Sequence, residues 1–440
     1  MNVLLIMEDA LRARNLGCYG YPRPTSPNLD RIAREGVRFE TCVAVSAHTF
    51  PPVVSILTGL FPASHRLMTE RDYNDWKHAG IWRGRRLPLH SLAENGWAVD
   101  GELVMRWSPL GFTRDCNSVL DYIRAEKGRK WFYFAQPYFT HLPYNPPEEY
   151  YLLMVEPGFA PDPETAKRMD VVRRYMVCHP PDVKAAMEVG QEDSIGTIGD
   201  GVHDRSSVVV EFQPRDAPGI TALYDGEVRV FDDYLGRVLH ALEEAGILDD
   251  TLVIVTADHG EELLERGHVG HTSCNLKGTL YDECLLVPLV MRYPPKLPPS
   301  IVVRQQVSQV DIMPTIFDLM DIPFDFAADG RSLLPLIRGA REFREEAYAE
   351  TPPAGWQALR GDERRIYCVR TPRWKLIEHV VRPGAPGRHE LYDLALDPGE
   401  KHNSFNENRA IAESLVANLH RHLAGVGGND HSVEPAPRRP

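Results

Sequence analysis

Apolar residues along this chain fall either in short unbroken runs or in stripes at helical spacing, and the unbroken runs lead into acids and histidines. Val3-Leu4-Leu5-Ile6-Met7 is the kind of run that a strand buried on both faces requires, and Glu8-Asp9 follows it at once. Thr251-Leu252-Val253-Ile254-Val255-Thr256 repeats the pattern and closes in Ala257-Asp258-His259-Gly260. A third run, Trp131-Phe132-Tyr133-Phe134-Ala135, precedes His141. Helical signals lie between. Asp30 to Glu35 reads as a helix stopped by Gly36. Pro51-Pro52 open another directly after Thr49, because a first turn has no use for their missing amide protons. From 225 to 245, Val228, Phe231, Leu235, Leu239 and Leu242 share one helical face, and Gly246 ends it. Helix and strand signals alternate in this way to about residue 320, which predicts an α/β fold.

In an open α/β sheet, ligands bind outside the carboxyl ends of parallel strands, so Glu8-Asp9 and Asp258-His259 can meet at one edge. A set of Glu, Asp and His suits a divalent cation. Its mixed oxygen and nitrogen donors fit zinc or manganese better than calcium, while magnesium and calcium stay open. Either acidic pair alone could equally be ordinary strand-end polarity. Thr49 has two readings as well. A threonine before a helix is commonly an N-cap. Alternatively, the free amides and dipole of the helix N-terminus favour a phosphate or sulfate there, and Thr49 beside a metal becomes a nucleophile.

A chain of 440 residues can bury a sizeable core, and its natural division is one large α/β domain, 1–338, with a small C-terminal α+β subdomain, 339–428. Short strands, Arg365-Ile366-Tyr367-Cys368-Val369-Arg370 and Trp374-Lys375-Leu376-Ile377, and a helix around 408–423 mark the second part. Residues 155–218, rich in Pro, Asp and Gly, read as an insertion or lid, and 429–440 as a disordered tail. The formal charge of −13 argues against nucleic acid and anionic membrane surfaces as partners, leaving a small anionic substrate, with self-association open. Seven cysteines form no close-spaced pair and are odd in number, the pattern of reduced thiols in a cytoplasmic protein. No basic region precedes the first strand, so no signal peptide is expected, and no apolar run is long enough to span a bilayer.

The opening Asn2-Val3-Leu4-Leu5-Ile6-Met7-Glu8-Asp9, then Leu16-Gly17-Cys18-Tyr19-Gly20, Pro27-Asn28-Leu29-Asp30 and Glu35-Gly36-Val37-Arg38-Phe39 resemble the N-terminal part of a type I sulfatase. Leu57-Thr58-Gly59-Leu60-Phe61-Pro62, Thr140-His141-Leu142-Pro143-Tyr144, Thr256-Ala257-Asp258-His259-Gly260-Glu261 and Glu390-Leu391-Tyr392-Asp393 extend the resemblance to about residue 405. It implies an alkaline phosphatase-like fold, a mixed, largely parallel sheet between helices. Sulfatases carry Cys-x-Pro-x-Arg, whose cysteine becomes formylglycine. Here the cysteine position is Thr49, the proline Pro51 and the arginine position Val53, and Cys42 has no such partners. Threonine at this place is similar to the phosphodiesterase and phosphoethanolamine transferase branches of the superfamily. By that resemblance Glu8, Thr49, Asp258 and His259 hold a catalytic metal, with Asp9 able to share it and a second metal open.

The resemblance also implies a contact from His141 to the ester or leaving group and a substrate-binding role for Lys277. His271 matches a family Gly-His and could be a substrate contact, an acid or a ligand of a second metal, with His268 a weaker candidate; spacing leaves Asp232 open beside His271 as a second-metal ligand. The family's Gly-Lys-x-His segment falls near Gly101 to Arg106 without its lysine or histidine, which leaves Arg106 as the cation there. Three functions follow. The first is a metal-dependent hydrolase or transferase of phosphoric mono- or diesters that forms a phosphothreonine at Thr49. The second is a sulfuric ester hydrolase working without formylglycine, and the third an inactive binding protein that kept the fold.

Overall fold

A strand that is apolar on every face needs a partner on each edge, and the first strand, Asn2–Glu8, is buried along its whole length. Its partners come from far along the chain. Thr251–Ala257 lies parallel on one side, with Glu8 opposite Ala257, and Trp131–Ala135 lies parallel on the other. Beyond Trp131–Ala135 sits Ala98–Glu102, also parallel. Beyond Thr251–Ala257 the direction changes: Leu289–Arg292 runs antiparallel to it and to Val37–Phe39, and Ile301–Val303 closes the other edge. The result is a mixed, largely parallel seven-stranded sheet, the fold the resemblance implied. The computed structural model of the chain describes residues 1–69, 87–102, 117–125, 128–180, 207–358, 362–382 and 384–428.

Helices cover this sheet in two groups. The 28-residue helix Ala217–Glu244 packs against Glu148–Met154, Pro27–Glu35 and Asn117–Ala125. Val228, Phe231, Leu235, Leu239 and Leu242 are all buried, as their spacing predicts. The helix begins eight residues earlier than expected, with Pro218 in its first turn, where a missing amide proton is tolerated. A side chain at Gly219 would meet Met169 Sδ at 2.5 Å. Phe50–Thr58 and Ile312–Leu319 form the second group. Gly36 does end the helix Pro27–Glu35, for a different reason than a left-handed cap: a Cβ there would lie 2.2 Å from the Met291 carbonyl of the adjoining strand.

The stretch read as an insertion contains the helix Pro163–Val172, capped by the Asp162 carboxylate, and the paired strands Val177–His179 and Ser207–Val209. Residues 181–206, and the tail 429–440, lie outside the described residues. After residue 340 a four-stranded antiparallel sheet follows in chain order: Ala347–Thr351, Arg365–Arg370, Trp374–Val380 and Arg388–Asp393. The last helix, Arg409–Gly428, buries Ala412, Leu415 and Leu419 against Val369, Leu376 and Leu391. Among the described residues no helix is long and apolar enough to cross a membrane.

Candidate active site

Three parallel strands release their chains at the same edge, and the site is built there. Asp9 and Asp258 follow neighbouring strands in register, so Asp9, Asp258 and His259 bring their ligand atoms within 4.8 Å of one another, all buried. The backbone is bent to achieve this. Ala10 adopts a left-handed φ of 61°, a conformation worth about 1–3 kcal/mol of strain in a residue with a side chain. It is held there from two directions: the Tyr224 hydroxyl donates to its carbonyl at 2.8 Å, and its own amide donates to Asp258 Oδ1 at 3.0 Å. Gln309 fixes the other strand end. Its amide nitrogen donates to the carbonyls of Ala257 and Asp258 at 2.8 and 2.6 Å, and its oxygen accepts from the Val45 amide at 2.9 Å.

Within this frame three carboxylate oxygens, Glu8 Oε2, Asp9 Oδ1 and Asp258 Oδ2, are buried and have no hydrogen-bond partner among the described residues. Such atoms are costly to bury, and a cation is the partner they lack. His259 completes the donor set. Its Nδ1 lies 2.8 Å from the Gly260 carbonyl, so that nitrogen carries the proton and the Nε2 lone pair faces Asp258 Oδ2 at 3.5 Å and Asp9 Oδ1 at 3.7 Å. The arrangement fits a divalent metal. Glu8 is outside the trio: its Oε1 accepts from the amides of Phe139 and Thr140 at 2.6 and 2.8 Å, which ties the first strand to the loop that carries His141.

Electrostatics point the same way. Burial pushes the Glu8 carboxyl up to about 8. Burial, then Asp258, Glu8 and Glu261, hold Asp9 well above the usual carboxylate range, and burial raises Asp258 against the pull of His259. A carboxyl raised in the folded state favours its protonated form, so its contribution to stability is lost as pH rises from the ordinary carboxylate value toward the native one. Chelator-treated protein should therefore lose melting temperature between about pH 5 and pH 8, and the gain on adding manganese or zinc should grow over the same interval. Thermal melts at several pH values, with and without metal, measure this. A gain that does not vary with pH would count against metal binding by these carboxylates.

Thr49 precedes the helix Phe50–Thr58 with helical backbone angles, and its side chain makes no capping bond. The hydroxyl points instead into the acidic cluster, donating to Asp9 Oδ2 at 3.3 Å and lying 3.4 Å from His259 Nε2. It is half-buried, whereas the residues behind it are sealed. The C-terminal sheet reaches this neighbourhood. Thr351 Oγ1 is 3.1 Å from His48 Nδ1, the Trp356 amide donates to Ser273 Oγ, and the Trp356 ring packs edge-on against Phe50 at 5.6 Å.

His271 lies beside His259 with ring centroids 4.1 Å apart and the rings tilted by 45°, and His141 meets His271 edge-on at 4.7 Å. Cys274 Sγ lies 3.6 Å from both His141 Nε2 and His271 Nε2. Glu261 holds His271 Nδ1 at 3.0 Å. Burial, then His259 and His141, keep the His271 imidazole well below its ordinary range, and burial keeps the Cys274 thiol well above its own.

Cys274, Glu261 and Gln309 were missed by sequence reasoning. The one available signal was the His271-Thr272-Ser273-Cys274 spacing, which places two ligand-type residues one helical turn apart. Lys277 and His268 line a cavity of about 190 Å³ with Arg266, His379, Arg388 and Glu390. Asp232 is engaged in capping the helix Pro27–Glu35, accepting from the amides of Asn28 and Leu29 at 2.9 Å each. Arg106 lies outside the described residues.

Known proteins share this plan. A model of the sulfatase family matches residues 1–94 and 115–322, and one of the C-terminal region of N-sulphoglucosamine sulphohydrolase matches residues 271–427. The chain is 25% identical to an N-acetylglucosamine-6-O-sulfatase of Bacteroides thetaiotaomicron, covering 92% of this chain and 83% of that protein. It is 23% identical to PehA of Trinickia caryophylli, a multifunctional alkaline phosphatase superfamily protein, over 91% of this chain and 90% of the relative. The crystal structure of a phosphonate monoester hydrolase of Agrobacterium radiobacter superposes over the full length of both chains with a TM-score of 0.73 at 22% identity. A family match that runs from the first strand to residue 322, on a fold shared along the whole chain, makes this protein a member of the sulfatase family.

Proposed function

We propose that this protein is a metal-dependent hydrolase or transferase of phosphoric esters in which Thr49 is the nucleophile. The observation that carries the proposal is the direction of the Thr49 hydroxyl, which leaves its helix uncapped and faces Asp9 and His259. Val53 adds support. It occupies the place where formylglycine sulfatases have an arginine, yet it is buried in the core and offers no cation to a formylglycine hydrate. A divalent ion held by Asp9, Asp258 and His259, with Glu8 behind them and zinc or manganese favoured, would lower the threonine's pKa and offset charge on the transferring group.

The residues then divide the work. Thr49 Oγ forms the bond to phosphorus as the ester oxygen leaves from the opposite side and takes a proton from solvent, while the hydroxyl proton passes to Asp9 Oδ2, its present acceptor. A phosphothreonine results. Water or an acceptor alcohol then attacks phosphorus and loses its proton to solvent, the bond to Thr49 Oγ breaks, and the proton held by Asp9 returns to Thr49 Oγ. Gln309 and Tyr224 hold the two strand ends at the spacing this requires.

A sulfuric ester is the second reading, favoured by the similarity to an N-acetylglucosamine-6-O-sulfatase. Matched p-nitrophenyl phosphate, phosphate diester and sulfate substrates, assayed with metal-stripped and metal-restored protein, separate the two. Phosphorus-ester cleavage that depends on metal, with a trapped phosphate on Thr49 seen by mass spectrometry, is the expected result. Cleavage of the sulfate alone would replace the first reading by the second.

A further inference from the structure

We propose that His141, His271 and Cys274 form a second metal site, of the zinc class, distinct from the Asp9, Asp258 and His259 cluster. The two sulfur-to-nitrogen separations carry it. A tetrahedral zinc with bonds of about 2.3 Å to sulfur and about 2.05 Å to nitrogen sets those donors about 3.6 Å apart. Cys274 Sγ stands 3.6 Å from His141 Nε2 and 3.6 Å from His271 Nε2. With both Nδ1 atoms donating to oxygen, both Nε2 atoms face the sulfur as lone pairs, and one thiol proton serves only one of them. All three donor atoms lie within 4.8 Å of one another.

The supports behind the donors match those of histidine ligands, which hand their other ring proton to a carbonyl or carboxylate. His141 Nδ1 is 2.6 Å from the Leu142 carbonyl and also meets the Tyr138 hydroxyl. His271 Nδ1 meets Glu261 Oε1 at 3.0 Å. Both Nε2 atoms are thereby turned toward Cys274. The local chain is shaped for the same end. His271 directly precedes the one-turn helix Thr272–Asn275, and the Cys274 amide donates to its carbonyl at 2.8 Å, which sets Cys274 beside it. Gly270, at a φ of 99°, admits no side chain: a Cβ would meet Cys274 Cβ at 2.8 Å and Leu142 Cδ1 at 3.0 Å.

A donor set of one sulfur and two imidazoles selects zinc-class ions and rejects magnesium and calcium, whereas the carboxylate-rich first site accepts harder ions. Three protein ligands leave one tetrahedral position for a non-protein group, the pattern of a site that meets substrate. Binding replaces the Cys274 thiol proton, which leaves to solvent as the sulfur–metal bond forms. None of this depends on which ester is cleaved.

The test loads dialysed full-length protein with cobalt and reads metal content together with optical absorption, so no turnover enters it. Wild-type protein should bind two equivalents and show a thiolate-to-cobalt charge-transfer band. Cys274→Ser should bind one equivalent and lose the band, while Asp258→Asn should bind one and keep it. Should Cys274→Ser fail to fold by circular dichroism, His271→Gln, which keeps the thiol, should likewise lose one equivalent. Wild-type protein without the band, or a folded Cys274→Ser protein that retains two equivalents, would overturn the proposal.

Discussion

Thr49→Ala should lower the turnover of the cognate ester by about 10⁴- to 10⁶-fold, the scale seen when a covalent nucleophile is removed. The same change should leave folding nearly untouched. The hydroxyl makes no capping bond, and its contacts to Asp9 and His259 are long, so its loss should cost less than about 1 kcal/mol of stability. Thr49→Ser, which keeps the oxygen, should retain measurable turnover. Steady-state rates and thermal melts on the three proteins separate chemistry from structure. Turnover by Thr49→Ala near the wild-type rate would remove Thr49 from the nucleophile's role, and a melt several degrees lower would give it a structural one.

Lys375→Met should be the most damaging single change to stability away from the site, at about 3–5 kcal/mol. Lys375 is fully buried between Asp282 Oδ1 at 2.9 Å and Glu400 Oε1 at 2.8 Å, and Arg370 reaches Asp282 from the other side. The cluster joins the C-terminal sheet to the segment that follows the Lys277 loop. Removing the ammonium leaves Glu400 buried with the Asp282 amide at 2.7 Å and the Arg266 guanidinium at 3.9 Å, neither of which replaces the lost ion pair. The double change Lys375→Met, Glu400→Leu should recover much of the loss, since an apolar replacement of both partners leaves no orphaned charge. Urea unfolding of the three proteins measures this, and equal stability of single and double variants would refute it. Acid should act on the same cluster. Burial alone would raise Asp282, but Lys375 and Arg370 overcome it and hold the carboxyl well below its ordinary range. A depressed native value means that this contribution is present above the unfolded value, about 3.8, and is lost as pH falls below it.

Buried parallel strands announce themselves as apolar runs, so the strand ends that deliver Asp9, Asp258 and His259 were legible before any coordinates. Thr49 was legible for a related reason, since two prolines fixed where its helix begins. What escaped depended on distance in the chain. Cys274 is an isolated cysteine until His141, 133 residues away, arrives beside it. Lys277 could be placed in a motif, but its surroundings include His379 and Arg388 from a sheet that closes over it a hundred residues later. Gln309 belongs to no pattern at all; only the meeting of Val45 with Asp258 gives it a task. The start of the long helix escaped because the apolar stripe begins only at Val228, whereas the first turns of the helix hold Pro218 and Gly219, outside that stripe.

The long-range pairing of the first strand also has a cost during synthesis. One edge of Asn2–Glu8 waits for Trp131–Ala135, and the other for Thr251–Ala257. At typical elongation rates the second partner leaves the ribosome roughly 10 to 50 s after the first strand does. Through that interval an apolar strand with an open edge is exposed to neighbouring nascent chains, the situation that invites aggregation. The pairing that sets Asp9 beside Asp258 in the finished protein is thus one that the growing chain completes late, after most of the sheet's other strands have been made.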